Sequence, residues 1–171
     1  MGYPQISFAR KYEKKLEDNF IVVNWDQRGS GMSYSSNIPK ESMNRGQFIE
    51  DTKELIDYLC EKYEKEKIYL VGHSWGTELG LYVVDKYPEK VAAFISVGQV
   101  VNGIESEVIS YDYVLGMANE NNDKKALEDL MRIGEPPYKN TVNDIAIQRK
   151  WLSEYGGVER KVDMIITPPL C

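Results

Sequence analysis

One serine lies in a sequence pattern that is typical of an enzymatic nucleophile. Residues 72–76 read Gly-His-Ser-Trp-Gly, and the apolar run at residues 68–71 precedes them directly. A helical pattern begins at Trp75, so the serine is predicted to occupy a sharp turn between a strand and a helix, with its hydroxyl clear of the sheet edge. The pattern therefore predicts Ser74 as a nucleophile for acyl transfer. The alternative is a tight glycine turn without chemistry.

The residues around Ser74 have predicted supporting roles. Gly72 and Gly76 are expected to give room where a Cβ would collide with neighbouring backbone. The backbone N–H of Trp75, at the start of the helix, is expected to form the oxyanion hole with help from the helix dipole.

A general base for Ser74 is not evident. The chain has one histidine, His73. Because His73 precedes the serine in the turn, its side chain should diverge from that of Ser74 and pack or hydrogen-bond beneath the turn. A base contributes typically about 10²–10⁴-fold in rate. Asp112 and Asp144 are interpreted as solvated helix residues and not as partners of such a base.

Composition narrows the function classes. The chain has 171 residues, of which 42% are hydrophobic and 28% charged, as in an ordinary globular domain. A net charge of −6 without a basic run argues against nucleic-acid binding. Cys60 and Cys171 give neither a disulfide framework nor a metal pair, which suits the cytoplasm. We expect no secretory leader and no membrane helix.

Strand and helix patterns alternate in the first hundred residues. They predict helix 5–17, strand 20–25, helix 44–64 with Asn44 and Gln47 at its start, strand 68–71, helix 75–87 and strand 91–97. The continuous apolar strands are typical of a parallel sheet with helices on both faces.

The pattern changes after Gly98. Helical periodicity covers residues 104–119, 123–133 and 141–155, and residues 164–166 are a short strand candidate. We therefore predict a partial α/β core in residues 1–100 and a helical cap in residues 101–171, on the carboxyl-end side of the strands.

Two motifs resemble those of a known family. Residues 26–33 read Asp-Gln-Arg-Gly-Ser-Gly-Met-Ser, and residues 72–77 read Gly-His-Ser-Trp-Gly-Thr. Together they resemble the proline iminopeptidase branch of the α/β-hydrolase superfamily, over roughly residues 5–100. The resemblance implies an α/β fold with a parallel sheet, flanking helices and a cap. It also implies a serine hydrolase that cleaves amide or ester bonds of a small-molecule or peptide substrate through Ser74, without metal or cofactor.

The resemblance also assigns pocket residues. Trp75 is expected to form a wall of the substrate pocket, and Trp151 in the cap either lines the same pocket or packs helices. Related aminopeptidases hold a substrate amine with cap acids, but no motif selects among Glu105, Glu107 and Glu154. In the loop at 26–33, Asp26 and Arg28 are expected to form a buried ion pair that holds the loop beside the serine.

Several parts of the family pattern have no counterpart in this sequence. These are an H-G-G-P-G-like loop, the strand before the first helix, the triad acid and a late histidine. We therefore expect a fold that is incomplete at both ends, with exposed sheet edges through which copies could associate. The chain alone is expected to be inactive, and the alternative function is a catalytically incomplete fragment of such a hydrolase.

Overall fold

A computed structural model of the chain describes residue 9 and residues 11–158. The Cα positions divide the chain into two compact units, one up to Val101 and one from Asn102. This division lies next to the boundary predicted after residue 100. That the second unit acts as a cap stays a prediction.

The first unit is built on two parallel strands joined by a helical crossover. Strand β1 (Ile68–His73) pairs with strand β2 (Val91–Val97), with Ile68 opposite Val91 and His73 opposite Val97. Helix α2 (Trp75–Lys86) connects them, and helix α1 (Arg45–Lys62) packs against α2. Both strands and both helices lie where the apolar periodicity predicts them, and the pairing is parallel as expected.

The start of α1 is fixed by its predicted cap. The side-chain oxygen of Asn44 accepts the backbone N–H of Gln47 at 3.0 Å. The side-chain amide of Gln47 forms no hydrogen bond with the backbone of Asn44, and its Nε2 donates to the Asp51 carboxylate at 2.9 Å. Only half of a capping box is therefore formed, and one amide of the first turn is satisfied by it.

The core of the first unit lies on one face of the sheet. Its buried apolar residues are Phe48, Ile56, Leu79, Val83 and Val91. On the opposite face Tyr69 and Val71 are 61% and 63% exposed, and Ile95 and Val97 are exposed as well. The prediction of strands buried on both faces is therefore wrong for the described residues, because α1 and α2 cover one face only.

The strand predicted at residues 20–25 is not formed. The backbone from residue 21 to 27 has no regular secondary structure, and Phe20 is 51% exposed. The Phe20 ring contacts Tyr69 edge to face at 5.7 Å. A strand needs a neighbour to share its backbone hydrogen bonds, and within the described part of the chain only β1 and β2 form such a ladder.

The first unit also contains a short helical segment near its beginning and several 3₁₀ helices. Of the helix predicted over residues 5–17, residues 9, 11 and 12 are helical and residues 14–19 form turns, while residues 5–8 and 10 lie outside the described residues. Three 3₁₀ helices span Gly31–Ser33, Lys40–Ser42 and Pro88–Lys90.

The described residues of the second unit, up to residue 158, form three helices around an apolar core. They are α3 (Gly103–Glu120), α4 (Lys124–Ile133) and α5 (Thr141–Glu154), in agreement with the predicted spans. Asn102 and Asp123 cap α3 and α4 by accepting the N–H groups of Glu105 and Ala126. The core residues are Tyr111, Val114, Ala118, Ala126, Leu130, Ile133, Tyr138 and Trp151. The strand candidate at 164–166 lies outside the described residues.

None of the helices within residues 9 and 11–158 combines the length and the apolar character that a membrane crossing requires.

Candidate active site

Ser74 lies between the end of β1 and the first residue of α2, as predicted. Its backbone has φ 51° and ψ −117°, a left-handed conformation that is rare for a residue with a side chain. Such a conformation costs on the order of 1–3 kcal/mol and persists only where the surroundings impose it. The Ser74 N–H donates to the carbonyl of Val97 at 2.9 Å, which ties the turn to the end of β2. The residue is exposed, so its hydroxyl is accessible.

Gly72 permits the close approach of strand and helix. A Cβ on Gly72 would lie 2.3 Å from the carbonyl oxygen of Gly76. The expectation for Gly76 itself is wrong, because a Cβ there would meet nothing within 4 Å. The backbone of Gly76 is the surface that Gly72 must approach, and so only the first glycine of the pattern is sterically required.

The peptide between Ser74 and Trp75 is held at its carbonyl. The backbone carbonyl oxygen of Ser74 accepts two hydrogen bonds, from the backbone N–H of Thr77 at 2.8 Å and from the Thr77 hydroxyl at 2.6 Å. The Trp75 N–H, at the other side of this peptide, belongs to the first helical turn, whose amides have no acceptor inside the helix. It therefore lies at the positive end of α2, where an oxyanion would be stabilised.

Thr77 is a site residue that the sequence analysis missed. It is fully buried, and its hydroxyl oxygen also accepts the N–H of Val100 at 2.9 Å. The available signal was a threonine three residues after Ser74, a spacing at which its hydroxyl can reach the carbonyl of the preceding turn.

The Trp75 side chain connects the elbow to the loop at 26–33. Its indole Nε1 donates to the side-chain oxygen of Gln27 at 3.3 Å, and its ring contacts Phe48 edge to face at 6.4 Å. The ring is half-buried. The loop is therefore held beside the serine turn, as the sequence predicted, through Gln27.

The expected ion pair within that loop is not the one observed. Arg28 makes a bidentate pair with Asp51 of α1, with Nε–Oδ2 at 2.7 Å and Nη2–Oδ1 at 2.6 Å. The Arg28 guanidinium holds the pKa of Asp51 below its usual value. Asp26 instead accepts the N–H of Met32 at 2.9 Å and closes the loop on itself. Gly31 is needed for this closure, because its φ is +50° and a Cβ would lie 2.2 Å from the Asp26 carboxylate.

His73 does not lie beneath the turn. It is the last residue of β1, it is exposed, and it stands opposite Val97 in the sheet register. Since side chains alternate along a strand, His73 points to the sheet face opposite that of Gly72. No side chain within residues 9 and 11–158 forms a hydrogen bond with the Ser74 hydroxyl, so this part of the chain brings no base to the serine.

Trp151 lies in the core of the second unit. It is 4% exposed, its Nε1 donates to Asp129 at 3.1 Å, and its ring stacks on Tyr155 at 6.1 Å. The sequence left two roles open for Trp151, pocket lining and helix packing, and these contacts are those of a helix-packing residue. Lining of a substrate pocket by Trp151 stays a prediction.

The three acids named from the sequence differ in their partners. Glu107 forms an ion pair with Arg149, Glu105 accepts from the side chain of Asn102, and Glu154 lies 3.9 Å from Lys150. Asp112 is exposed, and Asp144 accepts the N–H of Asn140 at the start of α5. The two aspartates are thus helix residues, as interpreted.

Two buried polar atoms near the Glu107 ion pair, one carboxylate oxygen of Glu107 and the hydroxyl of Tyr138, have no hydrogen-bond partner among the described residues. Burial, with a smaller contribution from the Glu107 charge, raises the pKa of Tyr138 to about 12. Tyr138 therefore stays neutral throughout the physiological range.

Comparison with known proteins agrees with this architecture. A curated protein of Bacillus subtilis (strain 168), named "Probable aminopeptidase YbaC", is 40% identical over 145 residues, which cover 84% of this chain and 45% of that protein. The chain thus spans about half the length of this relative. No solved structure matches. The family described as alpha/beta hydrolase fold matches residues 4–135, which hold β1, the serine turn and β2. With most of its length matched, the chain belongs to the α/β-hydrolase family.

Proposed function

We propose that Ser74 is the nucleophile of a serine hydrolase and that the Trp75 N–H is an oxyanion-hole donor. The observation that carries this is the left-handed backbone of Ser74 at the junction of β1 and α2, with an exposed side chain. Backbone strain of this kind clusters at functional sites. Membership of a hydrolase family supports the same reaction class.

The proposed substrate is a small molecule or peptide with an amide or ester bond, cleaved in the manner of a proline iminopeptidase. The name of the Bacillus subtilis relative and the loop at 26–33 support an aminopeptidase. Trp75 is the proposed pocket wall because it is half-buried beside the serine. Trp151 would contact substrate only after becoming uncovered, since it is 4% exposed.

The proposed reaction needs a proton acceptor. The hydroxyl oxygen (Oγ) of Ser74 would bond to the substrate carbonyl carbon while the hydroxyl proton passes to a base. The negative charge that develops on the substrate carbonyl oxygen would be stabilised by the Trp75 N–H. The base returns the proton to the leaving amine or alcohol, and water then hydrolyses the acyl-enzyme. The one histidine of these 171 residues is His73, which is exposed at the end of β1 and has no hydrogen bond to Ser74 among the described residues. A base would have to come from outside these residues, and a second copy of the chain is one candidate.

The second candidate function is a catalytically incomplete polypeptide that keeps the serine turn without turnover. The observation in its favour is that His73, exposed at the end of β1, forms no hydrogen bond with the Ser74 hydroxyl among the described residues. These 171 residues assayed alone are expected to show little turnover, because general-base help is worth about 10²–10⁴-fold.

The two candidate functions can be separated by assaying three purified proteins side by side. They are the parent chain, Ser74→Ala and the surface control Ser106→Ala. We expect slow labelling by a fluorophosphonate probe, mapped to Ser74, accelerated by added imidazole and lost in Ser74→Ala alone. Turnover of an aminoacyl anilide should be near background in all three. Robust turnover that Ser74→Ala abolishes would establish the enzyme and show that the purified chain has a base for Ser74. Labelling unchanged in Ser74→Ala would overturn the nucleophile.

We further propose that copies associate through the sheet edges, in the cytoplasm. Among the described residues each strand pairs on one side only, and Cys60 is a free thiol, which suits a reducing compartment. Sedimentation over a range of concentrations should show self-association, with amide exchange slowed in β1 and β2. A monomer at every concentration would contradict this.

A further inference from the structure

We propose that Thr77 is a positioning residue whose hydroxyl fixes the peptide that carries the oxyanion donor. This inference rests on the proposed function and deepens it. The Ser74 carbonyl and the Trp75 N–H belong to one planar peptide unit. A group that holds the carbonyl therefore also sets the direction of the N–H.

Two donors from one residue converge on that carbonyl. The Thr77 hydroxyl donates at 2.6 Å and the Thr77 N–H at 2.8 Å. Two bonds to a single oxygen restrict rotation of the peptide plane more than one bond does. They also polarise the peptide, which strengthens the Trp75 N–H as a donor to an oxyanion.

The orientation of the Thr77 hydroxyl is itself determined. Its oxygen accepts the N–H of Val100 at 2.9 Å, so that amide occupies one of its lone pairs. The hydroxyl proton is then directed to the Ser74 carbonyl, and no water competes because Thr77 is fully buried. Val100 follows β2, where Val97 accepts the Ser74 N–H. The end of β2 thus anchors the serine turn from both sides.

Loss of the Thr77 hydroxyl is expected to slow the reaction of Ser74 less than loss of the oxyanion donor itself would. Removal of an oxyanion-hole donor costs about 10²–10³-fold in rate. In Thr77→Val the Trp75 N–H remains and the second bond to the carbonyl remains, so we expect about a 10-fold slower labelling of Ser74, an effect below that range. In kinetic terms the loss should fall on the chemical step and leave probe binding unchanged.

The test compares deletion, rescue and a matched control. Thr77→Val deletes the hydroxyl at nearly constant shape, Thr77→Ala deletes it without a β-branch, and Thr77→Ser keeps it. Thr52→Val is the control, because Thr52 is also buried and its hydroxyl donates to the Phe48 carbonyl at 2.7 Å, within α1. All four are compared with the parent chain by NMR at the Ser74 carbonyl carbon and the Trp75 amide, and by fluorophosphonate labelling.

We expect the Ser74 carbonyl resonance to move upfield and the Trp75 amide to shift in both deletion variants, with Thr77→Ser and Thr52→Val close to the parent chain. Thr77→Ala gives the same readout if Thr77→Val does not fold. Unchanged Ser74 and Trp75 resonances in the deletion variants would overturn the inference. Shifted resonances in a chain whose Ser74 is never labelled would leave the positioning role intact and count against the proposed function.

Discussion

The two compact units differ in how their elements are covered. In the second unit three helices enclose a core in which Val114, Ala126 and Leu130 are fully buried. In the first unit helices pack on one face of a two-stranded sheet, and Tyr69 and Val71 on the other face are exposed. The unit with the more enclosed core is not the unit that holds the candidate nucleophile.

Within the described residues the serine turn is formed beside a sheet that is covered on one face. Its geometry comes from contacts close to the turn: the approach of Gly72 to Gly76, the bond from Ser74 to Val97, and the bonds of Thr77. Local hydrogen bonds and one close glycine contact accompany the strained backbone of the serine. The comparison therefore predicts that core and turn can be perturbed separately.

The largest effect is expected in the core of the second unit. Leu130→Ala removes a fully buried side chain and leaves a cavity, which costs about 2–5 kcal/mol. The neighbouring Met131 is 70% exposed, so Met131→Ala should change stability by less than about 0.5 kcal/mol. Urea unfolding with amide exchange resolved for α3, α4 and α5 measures both. Similar costs for the two variants would contradict the enclosed core.

The next effect is expected at the serine turn. Gly72→Ala places a Cβ 2.3 Å from the Gly76 carbonyl and should cost about 1–3 kcal/mol in the first unit, because backbone must move. Gly76→Ala is the control within the same motif, since its Cβ has open space. In a helix it should be neutral or stabilising by up to about 1 kcal/mol. Equal destabilisation by both variants, measured by chemical denaturation, would show that the two glycines are equivalent after all.

Sequence patterns predicted the elements better than their surroundings. The spans of α1 to α5, β1 and β2 follow from apolar periodicity and capping residues, which are local properties. Burial of the strands and formation of a strand at 20–25 were predicted wrongly, because both depend on neighbours that the periodicity of a segment does not specify. Arg28 was assigned the nearby Asp26 when its partner is Asp51, 23 residues away.

In the candidate site, too, features that depend on local sequence were easier to predict than those that depend on contacts. Motif spacing predicts Ser74 as nucleophile and the Trp75 N–H as oxyanion donor, and both stay predictions, whereas the hydrogen bonds of Thr77 and Gln27 are visible only in the folded chain. His73 was expected beneath the turn but belongs to the ladder of β1, since the strand continues two residues beyond the apolar run.

A smaller effect is expected from the ion pair between α1 and the loop. The Arg28 guanidinium lowers the pKa of Asp51, so the folded state favours the carboxylate. The stability that it contributes is present above the unfolded pKa of about 3.9 and is lost as pH falls through the folded value. Asp51→Asn should therefore destabilise the first unit at pH 7, and the difference from the parent chain should shrink as pH falls below about 3.9. Asp112→Asn, at an exposed helix position, is the control. A pH-independent difference in urea midpoint would contradict this account.

The smallest effect is expected on the exposed sheet face. Val71→Thr keeps the shape and the β-branch of a residue that is 63% exposed, so stability should change by less than about 0.5 kcal/mol. The same exchange at Val83, which is fully buried in α2, places a hydroxyl in an apolar core and should cost about 1–3 kcal/mol. The pair compares an exposed position of β1 with a buried position of α2, the helix that packs against the sheet. If Val71→Thr proves as costly as Val83→Thr in dilute solution, where copies do not associate, then this face is covered in the folded chain and the comparison between the two units fails.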